Sequence, residues 1–125
     1  MAKDYSVIWK ANSMESIDSN IDIDNSTKIE KSNLGAKAIY YYENGKQCGV
    51  PYSCIKRIFK RIETINTRLS CCRVNFDAHS IVLCDENETE IAEIKYKDQR
   101  EADYVYKFIL SKVPEVIEGK LNPIS

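Results

Sequence analysis

The sequence predicts an α+β fold: one domain over residues 1–125, a mostly antiparallel sheet, and two main helices at about 51–69 and 99–112 packed on one face. Three observations carry this. Ile55, Ile58, Phe59, Ile62, Ile65 and Leu69 recur at steps of three and four residues, the spacing of one helix face. Asp98, with Glu101 three residues on, makes a capping box ahead of Ala102, Val105, Phe108 and Ile109, which fall on one side of a second helix. The intervening segments are short, rich in β-formers and separated by turn residues.

In chain order, 4–10 reads as a first strand on Tyr5, Val7, Ile8 and Trp9, and 11–20 as a polar loop. Residues 21–24 alternate Ile and Asp, the period of a half-exposed strand, with 27–31 as its hairpin partner. Residues 36–42 form a clearer strand. Asn44-Gly45 closes a tight hairpin onto 46–49, since both residues tolerate positive φ. Pro51 suits the first turn of the expected helix, where a missing N–H costs nothing. Residues 71–76, a turn at Asp77-Ala78, 79–84, an acidic turn at 85–88 and 89–97 read as a three-stranded meander. After the second helix, 115–118 is expected to be helical, Gly119 to end it, and 122–125 to fray. The strand running into a capped helix, IAEIKYKDQREADYVYKFI, resembles the close of pleckstrin-homology-like domains; the helix expected at 51–69 departs from that layout.

A chain of 125 residues buries about two-thirds of its unfolded surface, so a core needs neither disulfide nor metal. Five cysteines, an odd count without a C-x-x-C pair, read as reduced thiols of an intracellular protein. No apolar run approaches the roughly 20 residues of a membrane helix, and the N-terminus lacks a signal-peptide core, so the expected location is the cytoplasm with no membrane partner.

Charge is segregated although the net is only −1. On the expected helix Lys56, Arg57, Lys60, Arg61 and Arg68 share a basic face, suited to phosphates or an acidic protein surface. Asp85, Glu86 and Glu88 gather in one turn, where acidic loops can imitate nucleic-acid phosphates and cover a basic active site. Eight tyrosines against three phenylalanines supply interface material, and Tyr40-Tyr41-Tyr42 must set at least one ring on the less buried face of its strand.

Catalytic signals are thin. His79 is the one histidine, and Cys84, five residues along the same strand, falls on its opposite face. The cysteine spacings match no closed zinc site, and no phosphate-cradling glycine loop occurs, so no cofactor and no metal are expected. The expectation is a small non-enzymatic protein-binding module. Its sharpest form is an immunity or antitoxin-type inhibitor that neutralises a toxin in a one-to-one complex, a form that the Ile-, Lys- and Asn-rich composition of accessory genes also suits. Candidate contacts are Lys56, Arg57, Lys60, Arg61, Asp85, Glu86, Glu88 and Tyr41. The alternatives are nucleic-acid binding through the basic face and a cysteine-dependent enzyme using a thiol near His79.

Overall fold

The computed structural model describes residues 6–11, 16–69 and 72–119. It is α+β, with two sheets rather than one. The first has the order β1-β5-β4-β3-β2. Its strands are β1 (Ile8–Trp9), β2 (Thr27–Ile29), β3 (Ser32–Leu34), β4 (Ala38–Glu43) and β5 (Lys46–Pro51). The second has the order β8-β7-β6-β9. It comprises β6 (Arg57–Leu69), β7 (Cys72–Cys84), β8 (Glu90–Tyr96) and β9 (Ile117–Glu118). All neighbours pair antiparallel except β1 with β5 and β9 with β6. Two α-helices lie among the described residues, α1 (Ser19–Asp24) and α2 (Gln99–Lys112).

The main core lies where the sheets and α2 meet. Ile39, Tyr41 and Val50 come from the first sheet, Ile58, Ile81, Leu83, Ile94 and Tyr96 from the second, and Ala102, Val105 and Ile109 from α2. The outer face of the first sheet is covered by Ile23 of α1 with Val7, Trp9 and Ile17, around Ala38 and Tyr40. The two helices therefore serve different sheets instead of sharing one face. Within the first sheet, Asn44 and Gly45 both take positive φ (53° and 76°), and Glu43 pairs with Lys46, so the Asn-Gly hairpin forms as its sequence dictates.

The largest correction concerns 51–69. After Pro51 comes a short 3-10 turn, Tyr52–Cys54, and then the long strand β6 in place of a helix. Ile58, Ile62, Thr64, Ile65 and Thr67 are β-branched, which crowds a helix turn and fits a pleated strand. The antiparallel ladder with β7 supplies a partner for the whole length, from Arg57 opposite Cys84 to Leu69 opposite Cys72. The apolar residues that mimic one helix face are divided between two sheet faces. Ile58 enters the main core, Phe59 joins Val82 and Cys84 on the other side, and Ile62 is 62% exposed.

Smaller corrections follow the same physics. Residues 21–24 are helical because the Asp18 carboxylate caps the backbone N–H groups of Asn20 and Ile21 at 3.1 and 3.3 Å. The Ile-Asp alternation imitates a strand, yet Ile21 is 60% exposed while Ile23 is buried. The partner of β2 is consequently β3. Asp77 and Ala78 do not turn; they pair with Thr64 and Glu63 inside a continuous β7. The segment expected to be helical at 115–118 ends instead in β9, whose Ile117 N–H donates to the Lys56 carbonyl at 3.0 Å. Helix α2 spans the expected 99–112, and the Asp98 carboxylate accepts the Arg100 N–H at 2.9 Å. Asp4, Tyr5, Cys71 and 122–125 lie outside the described residues.

Candidate functional site

The charged residues singled out in the sequence meet one another. Arg57 donates through Nε to Glu88 at 2.6 Å and through Nη1 to the Gly119 carbonyl at 2.8 Å, joining the acidic turn to the end of β9. Arg61 binds Glu90 at 2.8 Å and Glu93 at 3.2 Å; the Glu90 bond raises the Arg61 pKa further. Lys60 pairs with Asp103 of α2 and sits 5.0 Å from the centre of the Tyr106 ring. The Lys60 hydrogen bond in turn lowers the Asp103 pKa. Asp85 serves its own turn, accepting the N–H groups of Asn87 and Thr89 at 2.9 and 3.0 Å. Lys56 and Glu86 are exposed. The basic stripe therefore follows a strand, and three of its members are neutralised by acids of the same chain.

The other sequence candidates separate. Cys84 packs with Phe59 and Val82, on the opposite face of β7 from the ladder position that His79 shares with Ile62 and Tyr96. Burial pushes the thiols of Cys48 and Cys84 up, away from the reactive thiolate. Among the described residues no three His, Cys, Asp or Glu side chains gather as a metal would need, and no helix is long and apolar enough to cross a membrane.

Two features stand out that residue spacing does not reveal. The first is an arm. Strand β8 flanks β7 only over 79–84 and β9 flanks β6 only over 57–58, so among the described strands the outer part of the β6–β7 hairpin pairs with itself alone. At strand rise the hairpin is about 40 Å long. Its register sets Ile65 opposite Phe76, Thr67 opposite Val74 and Leu69 opposite Cys72 in one phase. Thr64 with Asp77, Asn66 with Asn75 and Arg68 with Arg73 make up the other.

The second is a groove of about 900 Å3 at the arm's base. It lies between the β2–β3 turn (Glu30, Lys31), the end of the β4–β5 hairpin (41–44), Asp77 and Ala78, and residues 93–97 of β8 and its continuation. Strand β8 is an edge of its sheet. Tyr41 is 3% exposed, and its hydroxyl is the buried side-chain polar atom without a hydrogen-bond partner among the described residues. Leaving such a donor unpaired costs about 1–3 kcal/mol. Its neighbour Tyr96, equally buried, donates to Ser32 Oγ at 2.9 Å. Burial raises the pKa of both phenols, so Tyr41 stays a protonated donor.

The groove's acids are engaged; of its lysines, Lys97 acts electrostatically on Glu30. Glu43 pairs with Lys10 at 2.6 Å, Glu93 with Arg61 at 3.2 Å, and Asp77 accepts the Thr64 hydroxyl at 2.9 Å. Glu30 accepts the backbone N–H groups of Lys97 and Asp98 at 3.0 and 3.2 Å. Lys31, Lys95 and Lys97 make no salt bridge among the described residues. Tyr42, half-exposed, adds an aromatic wall.

Set against family models, curated proteins and solved structures, the chain matches none.

Proposed function

We propose that this protein is a non-catalytic protein-binding module of the immunity or antitoxin type, which neutralises a toxin by direct one-to-one binding. The observation that supports it is the β6–β7 arm. A two-stranded ribbon is marginal by itself in water and carries unpaired edges. A chain that sends 63–69 and 72–78 beyond the flanking strands holds out a surface suited to another protein. Exposed Ile62 and Tyr42 near the base extend the same surface.

The nucleic-acid reading loses its main support, because Arg57, Lys60 and Arg61 are paired within the chain. Among the described residues, the cysteine-enzyme reading has no thiol set beside His79 in its favour.

Affinity capture of the tagged chain from nuclease-treated lysate, washed at low and then high salt, tests the proposal. A single protein retained through the high-salt wash, in equimolar amount, is the expected result. Recovery of only salt-sensitive nucleic acid from untreated lysate overturns it.

A further inference from the structure

The groove at the arm's base is built for one kind of occupant. We infer that an extended acidic segment of a partner protein docks there, adding to the free edge of β8 as a further strand. The inference rests on the protein-binding reading and names the chemistry of one part of the interface.

Four observations converge. Strand β8 ends its sheet, so no described strand takes the backbone groups on its outer side. Residues 93–97 border the groove along their length, so a segment lying in it runs beside that edge. Main-chain hydrogen bonding of an added strand supplies affinity, and side chains on alternate positions supply selectivity. Charge sets that selectivity: among the described residues Lys31 and Lys95 lack an ion-pair partner, whereas Glu43 and Glu93 are already paired with Lys10 and Arg61. An acidic segment therefore finds the unpaired cations of Lys31 and Lys95, whereas Glu43 and Glu93 must surrender a cation before they meet a basic one. Finally, Tyr41 lines the groove and its hydroxyl, covered in the free protein, has no acceptor among the described residues; docking that uncovers it lets a carboxylate or carbonyl of the incoming strand supply one.

The test uses the full-length chain and synthetic probes, so it needs no cellular partner. Amide NMR is recorded while adding a peptide of alternating Val and Glu, its Val-Lys counterpart, or free glutamate. The Val-Glu peptide is expected to shift the amides of 93–97 and slow their exchange, with an affinity that falls as salt is added. K95E/K97E, at exposed positions, is expected to weaken it by about tenfold or more. Y41F is expected to weaken it by about tenfold while the protein stays folded. Equal binding of the Val-Lys peptide overturns the inference, and so does a set of shifts elsewhere on the chain. Free glutamate reproducing the shifts at the same concentration would mark a small-anion site and likewise overturn it. If the peptide fails while a captured partner is retained, the protein-binding reading stands and only this part of its interface falls.

Discussion

The Tyr40 hydroxyl donates to the buried Asp22 carboxylate at 2.8 Å, tying the outer face of the first sheet to helix α1. The same carboxylate accepts the backbone N–H groups of Ala36 and Lys37 at 2.7 and 3.2 Å. A methyl group on Gly35 would come within 2.4 Å of it, so this position must be glycine for the carboxylate to approach the chain. Asp22→Ala strands these donors and is expected to cost about 2–4 kcal/mol. Tyr40→Phe removes one donor together with its bond and is expected to cost about 1 kcal/mol. Urea denaturation of the two variants checks the order.

Glu30 joins the β2–β3 turn to the N-terminus of α2. Burial of its carboxyl works to raise the pKa. The hydrogen bonds from the Lys97 N–H, Glu101 and the Asp98 N–H outweigh that, so the net shift is downward. The stability Glu30 contributes is thus present above its unfolded pKa and is lost as pH falls through the lower folded value. Glu101 moves the opposite way, raised first by its hydrogen bond to Glu30, so its contribution is lost as pH rises through its folded value. Although a helix N-terminus favours negative charge, this raised value means that charge on Glu101 is disfavoured here. Glu101→Gln offers Glu30 a permanent donor. Its Tm is expected to exceed that of the parent at about pH 7 and to match it near pH 4, where the parent carboxyl is itself protonated. Thermal melts across that range decide it.

Tyr41→Phe deletes a buried hydroxyl that has no partner among the described residues. In the free protein it is expected to raise stability by about 1 kcal/mol, or Tm by about 3–5 °C. Most core truncations destabilise, so a melting temperature above the parent's is a specific signature.

Arg57 reaches both Glu88 and the Gly119 carbonyl, and its side chain is mostly covered. Arg61 is more open; it binds two carboxylates and lies 5.6 Å from the centre of the Phe59 ring. Arg57→Ala is expected to cost about 1–2 kcal/mol and Arg61→Ala less than about 1 kcal/mol. Added salt should shrink the Arg61 effect more than the Arg57 effect, measurable by denaturation at two ionic strengths.

Legibility in the sequence followed how local the signal is. The Asn44-Gly45 hairpin and the Asp98-capped helix are fixed by adjacent residues, and both appear where expected. Strand β6 is fixed by its ladder with the next strand, β7, and its apolar spacing satisfies a helix equally well until that ladder is known. The density of Ile and Thr in 57–67 was the signal for a strand. At 19–24 the cap at Asp18 outweighed a two-residue alternation too short to decide. The charge candidates were individually visible, but not that Arg57 and Arg61 would meet Glu88 and Glu90. Of the three consecutive tyrosines, only Tyr42 is exposed, and no spacing rule identifies Tyr41 as the one left without a partner. The groove joins four separate chain segments, so it exists only in the folded molecule.

The most direct test of the arm as the binding element is to shorten it. Residues 65–76 are replaced by a two-residue turn, leaving Thr64 opposite Asp77 with their 2.9 Å hydrogen bond. No described strand outside the hairpin pairs with the removed segment, so the shortened protein is expected to keep its cooperative melt. In side-by-side capture, the full chain should hold its partner through high salt and the shortened chain should release it. Equal retention by a folded, shortened chain would contradict the account and move the interface off the arm.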